Sequence, residues 1–564
     1  MARAPRCALL LFAAAACGSP AGEPGPAAPE GGATVPAIAP ADLRQRLYAY
    51  ADDSMQGRRS GTPGGVKATD YLAAQARQLG LEPAGDDGTY FQTLPLVTRT
   101  LDPESELTVE GTELRAWGDL IPRDQGDGAR ALDGVQAVYG GTFGGDESGL
   151  ISLDDAAGKL VVITVAPAED GTPAGSVNRA VVTDRFRTAA GIAVATVDGI
   201  GTSERLDLQD GGGQLAKSHT SSAGSEIPTF MYVTSRAAEA LLGAPPSALE
   251  AGAAGRTVQG AVRFTDAPSP HPARNVVAVL RGSDPALRGQ FVAIGSHNDH
   301  DGIAPETQDH DSLRAFNLVM RPEGAGSTPG VPTADQAARI RTILDSLRKE
   351  RGPRPDSVMN GADDDGSGSV AMLEIAENLT RGTEKPRRSV LFVWHAAEEM
   401  GLLGADHFTR EPTVPRDSIV AALNIDMIGR GGASDLENGG PGYIQLIGSR
   451  RLSTQLGDLV ERVNEEGKHG FTFDYSYDAD GHPDNYYCRS DHAMYARYAI
   501  PVTFFTTGSH TDYHQLTDEP QYIDYEKLAR VTGLIGAVAL ETANLDRRPV
   551  VDKARPDPEA ACKQ

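Results

Sequence analysis

Short apolar runs alternate with helical patterns over the second half of the chain. Five runs rich in Val, Ile and Phe have the length of buried strands, and they cover residues 275–280, 291–296, 389–394, 419–425 and 501–506. Helical periodicity falls between or after them at 367–379, 452–464 and 525–542. This alternation predicts an α/β fold, with a mainly parallel central sheet and helices on both faces.

The first half of the chain has a different pattern of hydrophobic and polar residues. Two amphipathic helical patterns lie within residues 41–79, and residues 101–270 contain short β-like runs broken by Gly and Asp. We therefore expect a smaller, β-rich domain inserted at 101–270. A second insertion, 303–360, carries a capping box at Thr333 and Gln336, so it contains a helix that is either a lid or a packing element.

Composition narrows the classes of partner. The chain has 564 residues and a net charge of -25. It is long enough for more than one domain, and its negative charge repels phosphate backbones, so we expect no nucleic-acid partner.

The N-terminus has the pattern of an export signal. Arg3 and Arg6 precede an apolar run over residues 8–16, which is too short to span a bilayer. The following Cys17-Gly18-Ser19 resembles a bacterial lipoprotein signal, in which the cysteine becomes the lipidated first residue; Ala14 departs from that pattern, and plain cleavage is the alternative. We expect an exported protein, periplasmic or attached to the outer membrane through Cys17, or displayed at the cell surface or released.

Four cysteines are too few for a disulfide framework. Two of them lie in the leader. Cys488 and Cys562 could be bridged in an oxidising compartment, but Cys562 lies in a polar tail, so we do not expect the bridge.

Most of the candidate ligand and catalytic residues follow the predicted strands. Ligands bind at the carboxyl ends of strands in open α/β sheets. Taken singly, each of these clusters is ordinary; together in one domain they favour a metal site, because stacked carboxylates need a cation. The clusters are His297 with Asp299, Asp363 to Asp365 at the start of a helix, Glu398 with Glu399, Asp426, and Tyr513 with His514. Two histidines and three carboxylates suit zinc, and a shared carboxylate would hold two ions.

The ordered set His-x-Asp, Asp-Asp-Asp-Gly-Ser-Gly, Glu-Glu, Asp-Met and Tyr-His resembles metallopeptidase family 28 of clan MH, which includes bacterial leucyl aminopeptidases and glutamate carboxypeptidase-like enzymes. The resemblance implies the zinc-exopeptidase fold, two Zn²⁺ ions and peptide substrates. It implies five metal ligands, which are His297, Asp364, Glu399, Asp426 and His514. Asp364 would bridge the ions, Asp299 would orient His297, Glu398 would be the general base, and Tyr513 would stabilise the oxyanion.

On this basis we divide the chain into six parts. They are a signal peptide (1–17), an Ala/Gly/Pro-rich tether (18–40), the N-terminal part of the catalytic domain (41–100), a domain that resembles protease-associated domains (101–270), the zinc peptidase domain (271–548) and a polar tail (549–564).

Several functions stay open at this stage. An aminopeptidase is preferred, because no basic cluster dedicated to a substrate carboxylate is evident. A carboxypeptidase or dipeptidase on the same scaffold would use Arg489 for the free carboxylate. A glutaminyl cyclase with one zinc, and a non-catalytic peptide-binding lipoprotein, are the remaining alternatives. Six other histidines have no independent claim as ligands, namely His300, His310, His395, His407, His482 and His492. The sequence does not predict the oligomeric state.

Overall fold

A computed structural model describes residues 34–124, 129–144, 149–167, 177–200, 213–215, 227–327, 329–349, 352–436 and 438–564. The predicted signal peptide and Cys17 lie outside the described residues. Among the described helices, none is both long and apolar enough to cross a membrane.

Twelve α-helices and twenty-two strands make up the described chain. The helices are Pro40–Tyr50 (α1), Pro63–Gln78 (α2), Leu153–Ala156 (α3), Arg179–Arg185 (α4), Ser235–Leu242 (α5), His310–Met320 (α6), Ala334–Leu347 (α7), Gly368–Arg381 (α8), Leu403–Arg410 (α9), Thr454–Glu466 (α10), His492–Ala496 (α11) and Tyr525–Asn544 (α12). The strands are Glu82–Pro83 (β1), Phe91–Leu94 (β2), Leu96–Leu101 (β3), Glu106–Val109 (β4), Thr112–Leu114 (β5), Leu120–Arg123 (β6), Gln136–Phe143 (β7), Leu160–Val165 (β8), Gly191–Val194 (β9), Gly213–Leu215 (β10), Thr229–Val233 (β11), Ala254–Ala261 (β12), Phe264–Pro268 (β13), Ala273–Leu280 (β14), Phe291–His297 (β15), Gly302–Asp309 (β16), Pro355–Met359 (β17), Ser389–His395 (β18), Ile419–Ile425 (β19), Tyr443–Ile447 (β20), Thr472–Asp474 (β21) and Val502–Thr506 (β22).

The largest sheet has nine strands in the order β1-β14-β18-β15-β19-β22-β20-β21, with β2 also paired to β14. Its centre, β18-β15-β19-β22, is parallel. Antiparallel pairs flank this centre, since β14 runs against β18 and β20 runs against β22. The α/β prediction is therefore confirmed, and the parallel arrangement holds for the centre of a mixed sheet.

Alternating residues of the central strands pack on opposite faces of this sheet. Val390, Phe392 and Trp394 of β18 belong to one hydrophobic cluster, which α1, α2, α8, α10 and α12 cover. Leu391 and Val393 belong to a second cluster, with α9 and α11. Helices on both faces bury the strands completely, which explains why these strands read as continuous apolar runs.

A second sheet of eight strands contains only strands between β4 and β12, in the order β5-β4-β12-β7-β8-β9-β11-β6. It has its own two hydrophobic clusters, built around residues such as Leu160 and Val162 on one side and Val161 and Ile163 on the other. Separate cores agree with a separate β-rich domain here, while the boundaries 101 and 270 and its likeness to protease-associated domains stay predictions.

The 303–360 insertion is a small α/β element. Strands β16 and β17 pair antiparallel, and α6 and α7 lie between them in the sequence and pack together. The predicted capping box is present, because the Thr333 hydroxyl accepts from Gln336 N and the Gln336 side chain accepts from Thr333 N. In the described part of the insertion, α7 therefore packs on α6 as a packing helix.

The disulfide expectation was wrong. Cys488 and Cys562 are bonded, with 74 residues of sequence separation. The polar tail folds back, and the Gln564 side chain accepts from Tyr487 N at 3.0 Å. Such a contact is non-local, so the polarity of the tail gave no sign of it.

Replacing both cysteines with serine should lower the stability of the chain. A bridge across 74 residues restricts the unfolded chain, and in the chain-entropy description its loss costs up to about 4 kcal/mol. Urea unfolding of parent and variant measures the difference. A reductant should shift the parent to the variant's midpoint and leave the variant unchanged; equal midpoints for the two oxidised chains would contradict the prediction.

Candidate metal centre

Polar side chains gather where the parallel strands end. His297 is the last residue of β15, Glu399 lies in the loop after β18, and Asp426 directly follows β19. His514 lies in the loop after β22, and Asp364 lies in the turn before α8. The carboxyl ends of parallel strands share one edge of a sheet, so four segments that are distant in sequence meet there, and the turn before α8 brings Asp364 to the same place.

Asp364 stands at the centre of this cluster, and only 3% of it is exposed. Its Oδ1 lies 3.0 Å from His297 Nε2, and its Oδ2 lies 3.0 Å from His514 Nε2. Each carboxylate oxygen therefore faces a different imidazole. This is the geometry that a bridging ligand between two cations requires.

One group of donors surrounds Asp364 Oδ2. His514 Nε2 lies 3.1 Å from Glu399 Oε2, and His300 Nδ1 lies 2.6 Å from Glu399 Oε1. His300, Asp364, Glu399 and His514 offer ligand atoms that all lie within 4.8 Å of one another. His300 was not among the predicted ligands; its only signal in the sequence was that it lies in the loop directly after His297.

A second group lies on the other side of Asp364. His297 Nε2 is 3.6 Å from Asp426 Oδ1, and this oxygen is buried without a hydrogen-bond partner. An unpartnered buried carboxylate oxygen beside an imidazole nitrogen fits a cation between them. The donors present on both sides of Asp364 thus suit two zinc ions, each with nitrogen and oxygen ligands.

The carboxylates of the other two aspartates of the triplet accept hydrogen bonds from backbone N–H groups. Asp363 Oδ1 accepts from Gly429 N at 2.6 Å. Asp365 Oδ2 accepts from His297 N at 3.1 Å, and its Oδ1 accepts from Gly368 N at 2.9 Å. These bonds tie the turn to the ends of β15 and β19, which leaves the middle aspartate to face the cluster.

Asp299 is placed differently from the expected role. Its carboxylate Oδ1 lies 3.9 Å from His297 Nδ1, beyond hydrogen-bond distance, whereas its backbone oxygen lies 3.2 Å from that nitrogen. The carboxylate instead accepts from Glu398 N at 3.1 Å. Asp299 therefore fixes the loop that carries Glu398, and its orientation of His297 through the carboxylate stays a prediction.

A cavity of about 440 Å³ opens beside the cluster. Glu398, Glu399, Tyr513 and Arg489 line it, together with apolar side chains that include Leu402. The Tyr513 hydroxyl accepts from Arg489 Nη2 at 3.1 Å. Tyr513 thus faces the space where a substrate would lie, as its predicted role requires.

Burial and mutual charge set the protonation of the cluster. Burial raises the pKa of the Glu398 carboxyl group well above its usual range, against the opposing effect of His297. Burial also acts on Asp364, but hydrogen bonds from His297 and His514 outweigh it and hold the pKa of this carboxyl group well below its usual range. Neighbouring carboxylates raise the pKa of His297 and His514, although burial alone would lower it. Zinc ligation needs neutral imidazoles, so cations would displace these protons.

The insertion supports the loop that carries His514. Gly324 has φ +53°, and a Cβ there would lie 2.3 Å from Tyr513 O, so only glycine fits this approach. Ala325 N donates to the same oxygen at 2.9 Å. Arg314 of α6 pairs with the buried Asp512. The insertion therefore fixes one wall of the site.

Ser490 supports Asp426 from behind. Its hydroxyl donates to Asp426 Oδ2 at 2.7 Å and accepts from Asn424 Nδ2 at 2.8 Å. A Ser490→Ala chain should bind zinc roughly 10-fold to 100-fold more weakly, because hydrogen bonds to a ligand orient it. Competition with a zinc-binding dye measures the affinity. Ser346→Ala, on the exposed side of α7, should behave as the parent; an unchanged affinity in Ser490→Ala would show that Asp426 needs no such support.

Comparison with known proteins identifies this part of the chain. Residues 275–539 match the description "Peptidase family M28". They belong to that family. Every predicted site residue lies within the M28 segment, which also contains the central strands and the 303–360 insertion.

Known relatives resemble the M28 segment over limited lengths. Leupeptin-inactivating enzyme 1 of Streptomyces exfoliatus is 30% identical over 173 residues, which cover 30% of this chain and 34% of that protein. Leucine aminopeptidase 1 of Aspergillus fumigatus is 27% identical over 195 residues, which cover 32% of this chain and 47% of that protein. The chain thus spans about a third to a half of these curated relatives. Among solved structures, the aminopeptidase from Aneurinibacillus sp. strain AM-1 is similar over 92% of this chain and 97% of its own, with 16% identity and a TM-score of 0.49.

Proposed function

We propose that the protein is a zinc exopeptidase that uses two metal ions to remove N-terminal residues from peptides. One observation carries the proposal, namely that the two oxygens of Asp364 face His297 and His514 at 3.0 Å each. Membership of the segment 275–539 in peptidase family M28 supports peptide substrates. Relatives named leucine aminopeptidase support the choice of the amino end.

The residues of the chain supply the rest of the chemistry. Bound zinc ions would polarise the substrate carbonyl and make water more acidic. Glu398 accepts a proton from the attacking water and returns it to the departing amine. Burial raises the pKa of the Glu398 carboxyl group, so this group accepts a proton more readily than an exposed glutamate does. Tyr513 donates its hydroxyl proton in a hydrogen bond towards the carbonyl oxygen as negative charge develops there.

Paired substrates test the proposal. The zinc-loaded chain should hydrolyse aminoacyl anilides with a free α-amine and leave the same compounds intact once that amine is acetylated. Faster cleavage of N-acetylated dipeptides than of free aminoacyl anilides would overturn the aminopeptidase assignment. Binding of one zinc together with cyclisation of N-terminal glutamine would instead support a glutaminyl cyclase.

The position of Arg489 favours an alternative function, that of a dipeptidase or carboxypeptidase. Among the described residues that line the cavity, Arg489 is the single Arg or Lys side chain. A guanidinium group binds carboxylates in a fork geometry. If Arg489 binds the free carboxylate of a substrate, Arg489→Met should raise KM for dipeptides and leave KM for dipeptide amides unchanged. A similar change for both compounds would exclude that role.

We also propose that the chain is exported and attached to a membrane by a lipid on Cys17. The apolar run 8–16 followed by Cys17-Gly18-Ser19 supports this. A Cys17→Ser chain should move from the membrane fraction to the soluble fraction of expressing cells. An unchanged distribution would contradict lipid attachment.

A further inference from the structure

A second cluster of potential ligands lies outside the Asp364 centre and shares no residue with it. His310 begins α6, Asp356 lies in β17, and Glu519 lies in the loop before α12. Each offers a ligand atom, and these atoms all lie within 4.8 Å of one another. His310 Nδ1 is 3.2 Å from Asp356 Oδ2 and 4.0 Å from Glu519 Oε1.

The imidazole of His310 has the surroundings that are typical of a metal-binding histidine. His310 is 1% exposed, and its Nε2 lies 3.2 Å from the Tyr522 hydroxyl. Ligating imidazoles usually bond a protein group through the nitrogen that does not bind the metal. Tyr522 occupies that position, so His310 Nδ1 is directed at the two carboxylates.

The negative charge of the cluster is poorly compensated. Asp53 stands beside Glu519, since Asn360 Nδ2 donates to Asp53 Oδ1 at 2.9 Å and to Glu519 Oε1 at 3.3 Å. The nearby Arg354 binds Asp311 at 2.8 Å. Burial, with the charges of Asp356 and Asp53, raises the pKa of Glu519 to about 8. Three carboxyl groups thus approach one another, and the charge of Arg354 offsets their repulsion at Glu519 only in part.

Asn360 is the second, independent sign of a ligand. It is 2% exposed, and its Oδ1 is buried without a hydrogen-bond partner. In the present orientation its amide nitrogen donates to Asp53 and Glu519. With a cation among these carboxylates, a half-turn of the amide gives the buried oxygen a partner in the cation, in exchange for the two hydrogen bonds of the nitrogen.

We propose that His310, Asp356 and Glu519 bind a further divalent cation, with Asp53 and Asn360 as additional oxygen donors. One imidazole nitrogen with carboxylate oxygens suits zinc. The ion joins the 303–360 insertion, through α6 and β17, to the loop that contains Asp518. The carboxylate of Asp518 accepts from Asp363 N and Asp364 N at 3.0 Å and 3.1 Å. The site therefore fastens the insertion to the segment that positions Asp364, and its role is structural.

Zinc counting in chains whose main centre is disabled tests this site. The full-length Asp364→Asn chain and the Asp364→Asn/Asp356→Asn chain are dialysed to equilibrium against buffered free zinc, and bound zinc is measured by mass spectrometry. Asparagine at 356 keeps the oxygen that accepts from Val358 N at 3.1 Å, so the local turn is retained. We expect the second chain to bind one zinc fewer than the first. Asp364→Asn/Asp345→Asn, changed on the exposed side of α7, is the matched control and should bind as much zinc as Asp364→Asn.

Thermal unfolding gives a second readout that does not depend on catalysis. Zinc should raise the Tm of Asp364→Asn and of the control, and the rise should be smaller or absent in Asp364→Asn/Asp356→Asn. Equal zinc content and equal Tm shifts in all three chains would overturn the site. Equal Tm values of the three chains in the presence of chelator show that the substitutions themselves leave the fold intact. If this site is absent, the proposal for the Asp364 centre still stands, because the activity of the parent chain tests that centre separately.

Discussion

Glu398→Gln should lower kcat by about 10²-fold to 10⁴-fold, the range that a general base contributes. Glutamine keeps the shape of the side chain and the backbone N–H that donates to Asp299 at 3.1 Å, so the loop stays in place. It cannot accept the proton from water. KM and zinc content should change little, because the predicted ligands remain. Rates with an aminoacyl anilide, together with zinc analysis of the same sample, measure both effects.

Two matched variants separate this role from a ligand role. Glu465→Gln, on the exposed side of α10, should retain the parent's rate. Glu399→Gln should lose zinc as well as activity, because Glu399 lies 3.1 Å from His514 in the donor cluster. If Glu398→Gln lost zinc while Glu399→Gln retained it, the two adjacent glutamates would have exchanged their roles.

The sequence predicted the parts of the site that follow buried strands. The strand 419–425 was predicted with the bounds that the structure has, and Asp426 follows it directly. Complete burial between two helical layers gives such strands an unbroken apolar pattern, so their ends are visible in the sequence. Since parallel strands end at one edge, the meeting of His297, Glu399 and Asp426 follows from the fold.

Features that depend on non-local pairing were less predictable. The short strands β20 and β21 were not among the predicted strands, and no local pattern in the sequence indicates that β14 runs antiparallel to β18. The Cys488–Cys562 bond needs the tail to return to the loop beside the cavity. The contact of His300 with Glu399 depends on the path of a loop with no periodicity. In each case the missing information was a partner far away in the chain.

Asp364→Asn should remove zinc from the main centre and almost all activity. The two oxygens of Asp364 lie 3.0 Å from His297 and from His514, whereas an asparagine offers one neutral oxygen and an amide that repels cations. Losing several kcal/mol of charge stabilisation by the ions, at 1.36 kcal/mol per factor of ten, lowers kcat/KM by about three orders of magnitude. Chelated parent enzyme should recover its rate when zinc is added, and the variant should not.

Zinc retention also distinguishes a carboxylate that bridges both ions from one that binds a single ion. Asp426→Asn removes a donor on one side only, so it should weaken one ion and leave the other bound, whereas Asp364→Asn should weaken both. The measurement is the number of zinc ions that each chain retains after dialysis. It compares the parent, the two variants and the exposed control Asp345→Asn, which should retain as much zinc as the parent. Retention of both ions and of the parent's rate in Asp364→Asn would mean that the ions are held without a shared carboxylate. The two-metal proposal, which depends on the position of Asp364 between two imidazoles, would then be wrong.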